Sequence, residues 1–211
     1  MQTEQPTNGS PGSTRQRKSQ AAQRKRIHPL CRAADERRAQ GRYAEAEPLY
    51  LCALALAELV RGGEEVAVIC NNLAVLYKYT GRFDEAERLY RRALSLLEQS
   101  LAADHPDIAT LYHNLGGLEH ARGRFAAGEP LARRSVEIRE RALGPDHPDV
   151  AADIAALAGI LDGQGRYDES EPPYRRALAI FEREYGPAHP KVVTCRNNYE
   201  LLNARNGTVD K

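Results

Sequence analysis

The sequence predicts an all-α class with a repeat-solenoid architecture, and three observations carry that reading. Gly-Arg-aromatic recurs at residues 41–43, 81–83, 123–125 and 165–167. His-Pro recurs at 105–106, 147–148 and 189–190, a spacing of 42 residues shared by Gly81, Gly123 and Gly165. Between these markers the apolar residues fall at helical rather than alternating spacing. Self-similarity at such a period marks a stack in which each unit buries its apolar face only against its neighbours. The 211 residues accommodate about four and a half helix pairs, nine helices with the last, at about 191–205, acting as a cap.

Residues 1–26 are rich in Gln, Ser, Thr, Gly, Pro and Arg with almost no apolar content. Such a composition does not offset its own ordering entropy, so a disordered basic arm is expected. The solenoid is expected over 27–205 and a disordered tail over 206–211. The net charge of +1 hides an asymmetry: the arm holds six Lys/Arg against one Glu, so it carries about +5 and the remainder about −4. No apolar run approaches the roughly 18 residues that cross a bilayer, and the arm lacks the apolar segment of a secretory signal; the cytoplasm is the expected location. Cys31, Cys52, Cys70 and Cys195 form no C-x-x-C pair and are expected reduced, as small core or surface residues.

Along the chain, residues 66–80 place Val66, Ile69, Leu73 and Leu76 at helical spacing and stop at Gly81, which supplies a left-handed terminus at low steric cost. A second helix is expected through about residue 100, opened by Asp84 and Glu87 as a capping box, a device repeated by Asp168 and Glu171. Pro48, Pro130 and Pro172 are expected in the first turn of this second helix, where a missing N–H costs least. The segments 104–107 and 144–149 read as turns that place a proline at the head of the next first helix, with acidic residues suiting its positive end.

Small residues recur where paired helices must approach: Ala74, Gly116 and Ala158 on first helices, and Ala46, Ala86, Gly128 and Ser170 on second helices. Ala53, Ala93, Ser135 and Ala177 form another row. In the third copy Gly128, Ala132 and Ser135 stand where the second has Ala86, Tyr90 and Ala93, so residues 124–141 are expected to be the loosest second helix.

Leu73-Ala74-x-x-Tyr77, Gly81, Ala86-x-x-x-Tyr90 and Ala93 resemble the tetratricopeptide repeat. The 42-residue period, with Asn71-Asn72-Leu73-Ala74, residues 165–169, residues 174–178 and residues 144–148, resembles the kinesin-light-chain type of that repeat over about 28–205. The first copy is two residues shorter, its first helix carries the charged run 35–38, and no heptad coiled coil precedes the array, so motor attachment is not carried over. The resemblance implies a right-handed superhelix whose concave groove, lined by first helices, holds an extended or helical peptide. It also implies peptide contact by the asparagine row, here Asn72, Asn114 and Asn198; the fourth copy has Ala156 instead.

An amide offers both donor and acceptor to a peptide backbone, and the bland alternative is that these asparagines bond neighbouring helices. By repeat register the groove also presents Asn71, Val75, Lys78, His113, Gly117 and His120, with Arg38 at its N-terminal end. This mildly basic mixture favours an acidic or carboxylate-bearing partner. Asp104-His105 and Asp146-His147 resemble a base with its orienting carboxylate, but they recur in register, which suits a turn and cap rather than one asymmetric catalytic site. His113 and His120 are seven residues apart, too far for an i, i+4 zinc pair, and no phosphate loop or nucleophile elbow is present. The expectation is a non-catalytic adaptor or scaffold without cofactor or metal. A nucleic-acid-associated factor is the alternative, acting through Arg15, Arg17, Lys18, Arg24, Lys25 and Arg26, or an arm for anionic lipid; no aromatics interleave these charges.

Overall fold

The computed structural model of the protein describes the backbone of residues 11–209 and the side chains of residues 22–206 apart from Arg24. Nine helices occupy the described residues: α1 (Pro11–Ala39), α2 (Tyr43–Leu59), α3 (Gly63–Tyr79), α4 (Phe83–Ser100), α5 (Pro106–Ala121), α6 (Phe125–Leu143), α7 (Pro148–Gly163), α8 (Tyr167–Tyr185) and α9 (Pro190–Val209). Each odd helix packs on the even helix that follows it, and each even helix packs on the next odd one. The backbones of odd helices also approach their counterparts one repeat away, whereas those of even helices stay apart and are bridged by long side chains, such as Arg92 to Glu58 and Arg176 to Glu140. That asymmetry curves the stack, with the odd helices on the inner face and the even helices splayed outside.

The turns between paired helices follow from the Gly-Arg-aromatic phrase. Gly41, Gly81, Gly123 and Gly165 all have φ near +70°, from +70° to +76°, a region in which a Cβ would be strained. The arginine that follows is the N-cap residue, and the aromatic is already the first helical residue. The expected capping boxes are therefore absent: Asp84 lies inside α4 and accepts from Arg122, while Glu87 accepts from Arg122 and Arg91. Asp168 accepts from Asn206 and Glu171 from Arg175 and Tyr199. For the same reason Pro48, Pro130 and Pro172 fall one turn further in than expected. Each leaves one carbonyl, of Ala44, Ala126 and Asp168, without its helical donor, but those residues are exposed and water can satisfy them.

Turns between repeats are capped by the His-Pro phrase. His105 Nδ1 accepts from the Asp107 N–H at 3.2 Å, His147 Nδ1 from the Asp149 N–H at 3.1 Å, and His189 Nδ1 from the Lys191 N–H at 3.2 Å. The histidine itself does what Ser or Asp does at other N-caps, and the following proline holds the first helical position in α5 and α7.

The small-residue rows are buried between the paired helices, as expected. The third copy is packed differently from the expectation. A Cβ on Gly128 would lie 3.2 Å from the Gly116 carbonyl oxygen and 3.3 Å from Glu119 Cβ, so α5 and α6 use the two glycines to approach closely rather than leaving a gap. Ala132 packs with Leu157, Ile160 and Leu161 of α7.

At the two ends, α1 runs back to Pro11 and α9 forward to Val209, and residues 1–10 and 210–211 lie outside the described set. Ile27, buried at 2% exposure, anchors α1, and extension of an existing helix through Gln, Arg, Lys and Ala adds a bond per residue without a new nucleus. Among the described residues no helix is long and apolar enough to cross a membrane.

Candidate functional site: the concave groove

The groove is built from the odd helices, and its N-terminal half is already cross-linked by its own polar side chains. In the first repeat Asp35 accepts from the Tyr50 hydroxyl at 2.5 Å and from Arg38 Nη2 at 3.4 Å; Arg38 Nε donates to the same hydroxyl at 3.1 Å. Burial, reinforced by Asp35, raises the Tyr50 phenol above its ordinary range. Asn72 Nδ2 donates to Asp35 at 3.4 Å, Asn71 Nδ2 to Asn72 Oδ1 at 3.2 Å, and Asn114 Nδ2 to Asn71 Oδ1 at 2.7 Å. Three asparagines thus tie α1, α3 and α5 together, which is the helix-bonding role weighed against peptide contact.

Lys78 lies across the next step of the groove, its Nζ 3.7 Å from where a Gly117 Cβ would be and 5.7 Å from the Tyr79 ring centroid. Desolvation lowers its pKa. Val75 is half-buried beside it. His113 turns into the body of the protein, with Nδ1 2.7 Å from Asp153 Oδ1. His120 stays exposed with its ring edge on Phe125, centroids 5.2 Å apart. The two histidines have different partners and do not converge, and no group of three potential metal ligands is present among the described residues.

The C-terminal half of the groove is open. A cavity of about 490 Å³ lies between α5, α7 and α9, with Phe125, Ile160 and Leu201 among its apolar walls. Of the residues expected in the site, Asn198 and His120 reach it, as does Gly117. Tyr174 forms part of its lining; burial, with the Asp162 carboxylate as a smaller cause, pushes that phenol up to about 12, so it remains a hydrogen-bond donor at neutral pH. Asp162 is paired with Arg205 at 2.8 Å. Sequence reasoning missed Tyr174, Gly159 and Phe125; their signal is the register, since Gly159 occupies the place of Asp35 and Tyr174 that of Tyr50.

The basic residues of the N-terminal segment follow a single helix. Lys25 and Arg26 are exposed on α1, and Arg15, Arg17 and Lys18 belong to its first turns, with their side chains and that of Arg24 outside the described set.

A model of the tetratricopeptide repeat matches residues 28–99, 107–183 and 151–207. The chain belongs to the tetratricopeptide-repeat family. Proteins of this family mediate protein–protein interaction and are generally non-catalytic. Similar solved structures include a Podosopora anserina protein assigned as a kinesin light chain with nearly identical TPR-like repeats. It is 21% identical, with 87% of this chain and 88% of its own covered and a TM-score of 0.72. BtubC (BKLC) from P. vanneervenii is 21% identical over 91% of this chain and 92% of its own, with a TM-score of 0.68. Aspartyl phosphate phosphatase F from Bacillus subtilis is 12% identical, covering 94% of this chain but 50% of its own, with a TM-score of 0.76. At these identities the likeness is one of fold, of the kinesin-light-chain-like repeat type. No curated protein matches the chain.

Proposed function

We propose that this tetratricopeptide-repeat protein is an adaptor or scaffold that binds a peptide or partner segment in its concave groove. The observation that carries the reading is the open cavity between α5, α7 and α9, an apolar recess with polar residues at its rim on the face where successive odd helices meet. The N-terminal half of the groove contributes its mildly basic side chains, Arg38 and Lys78, and favours an acidic flank on the ligand. Asn198 is the member of the asparagine row placed to contact a ligand directly, while Asn72 and Asn114 act on it through the helices they bond.

A displayed random-peptide library selected on the intact chain tests this reading. Recovered peptides should lose binding to Ala156→Arg, which fills the cavity lining, and keep it with Arg91→Ala on the outer face. Asn198→Ala should weaken them by about 0.5–1.5 kcal/mol, roughly two- to tenfold, with thermal stability unchanged. Recovery of no peptide, or of peptides indifferent to Ala156→Arg, removes the groove as the binding surface.

A further inference from the structure

The first repeat supplies an internal template for reading the cavity of the fourth. In the first repeat the Tyr50 hydroxyl rises between the paired helices and is received by Asp35, with Arg38 and Asn72 beside it. The fourth repeat presents the same register with one part removed. Tyr174 matches Tyr50 and Asn198 matches Asn72, but Gly159 stands where Asp35 does and Asp162 where Arg38 does. Tyr174 as a residue is 2% exposed, yet its side chain lines the cavity, and no carboxylate receives its hydroxyl as Asp35 receives that of Tyr50. A Cβ on Gly159 would lie 3.4 Å from that hydroxyl, so the group missing from the chain is the acceptor that the first repeat carries on a side chain at this position. That hydroxyl opens on the cavity, where water can accept from it, and a ligand that supplies the acceptor takes the place of that water.

The other repeats do not offer this opening. In the second, the Tyr90 hydroxyl lacks a partner but is buried, with Val75 at the acceptor position. In the third, Ala132 replaces the tyrosine.

The exchange of Arg38 for Asp162 decides which acceptor fits. A carboxylate sits well beside an arginine in the first repeat. In the fourth it would meet the Asp162 carboxylate, three residues from Gly159 on the same helix face, and the arginine at hand, Arg205, is already engaged with that carboxylate. A neutral group that accepts on one side and donates on the other avoids this repulsion.

On the reading that the groove binds a peptide, we propose that the recess above Gly159 is a subsite for a carboxamide side chain, asparagine or glutamine, of the bound segment. Its carbonyl oxygen accepts from the Tyr174 hydroxyl and its N–H donates to Asp162, while neighbouring apolar side chains of the ligand lie on Phe125, Ile160 and Leu201. The acidic flank favoured by Lys78 lies toward the N-terminal end, outside this recess.

Two measurements test the subsite, one of them without ligand. Asparagine placed at 159 should supply the amide in cis, so Gly159→Asn should melt about 2–4 °C above Gly159→Ala, and above Gly159→Asp, and the advantage should vanish in a Tyr174→Phe background. Equal melting temperatures, an aspartate better than asparagine, or an advantage that survives Tyr174→Phe overturns the assignment. In the peptide selection, binders should be enriched in Asn or Gln at one position and weaken several-fold on Tyr174→Phe. Peptides that need the cavity, by Ala156→Arg, but carry no amide and ignore Tyr174→Phe sink this subsite while leaving groove binding intact.

Discussion

Asp153 of α7 and Arg139 of α6 form an ion pair with Nε to Oδ2 at 2.6 Å, at 2% and 8% exposure, in register positions that are apolar in the flanking repeats. The equivalent places hold Leu97 and Leu111 one repeat earlier and Phe181 and Cys195 one repeat later. Arg139 also donates to Thr110, and His113 closes on the other carboxylate oxygen, so the pair is embedded in a small network. Removing one partner leaves a buried charge without compensation. Asp153→Ala is expected to cost about 3–5 kcal/mol in urea unfolding, whereas the paired Arg139→Leu, Asp153→Leu variant restores the apolar pattern and should recover most of it. A double variant as unstable as the single one would show that the network, not the unpaired charge, sets the cost.

Gly128→Ala should destabilise, although alanine is the better helix former. The intrinsic gain is about 1 kcal/mol, but the new methyl meets the Gly116 backbone oxygen and Glu119, and a forced backbone shift costs about 1–3 kcal/mol. The thermal midpoint of the variant decides the sign. A higher midpoint would mean that α5 and α6 have room to spare, as the sequence suggested.

The N-cap arginines staple each repeat to the one before. Arg82 reaches Glu47 of α2 and Glu85 of its own helix, both at 2.7 Å, and Arg166 reaches Glu129 of α6 at 2.6 Å and Glu169 at 2.5 Å. These pairs are partly exposed, so Arg82→Ala or Arg166→Ala should each lower the melting temperature only slightly at low ionic strength. The loss should shrink in about 1 M salt. A penalty independent of salt would assign the effect to packing, for Arg82 its stacking on the Tyr77 ring at 3.9 Å.

Stability should fall in acid through two glutamates that bridge repeats, Glu87 and Glu129. Hydrogen bonding by Arg122, then by Arg91, lowers the pKa of Glu87 against the opposing effect of burial. For Glu129 the Gln164 amide is the largest cause, with burial opposing and Arg133 and Arg166 adding to the lowering. A carboxyl whose folded value is depressed stabilises above its unfolded pKa, about 4.3 for Glu, and that contribution is lost as pH falls through the folded value. The melting temperature of the natural sequence should therefore drop toward that of a Glu87→Gln, Glu129→Gln variant below about pH 4.3. A gap between the two that stays constant with pH would place the acid sensitivity elsewhere.

Much of the fold was legible in the sequence because its determinants are local. The period, the positive-φ glycines, the His-Pro junctions and the small-residue rows depend on steric limits within a turn or between adjacent helices, and they specify successive helix pairs closed by a last single helix among the described residues. Helix starts were misplaced where Asp84 and Asp168 imitate caps, because the Gly-Arg turn lets the helix begin at the aromatic and frees both carboxylates for other partners. Only the tertiary structure decided which side chains meet across repeats. Glu47 and Arg82, or Asp35 and Asn72, are more than thirty residues apart, and their contact depends on how far each repeat rotates on the last. The same rotation turned Asn72 and Asn114 toward neighbouring helices and left Asn198 at an open cavity. A tyrosine in the repeat pattern reads as core in every copy; whether its hydroxyl finds an acceptor depends on a residue on another helix, satisfied at Tyr50 and left open at Tyr174.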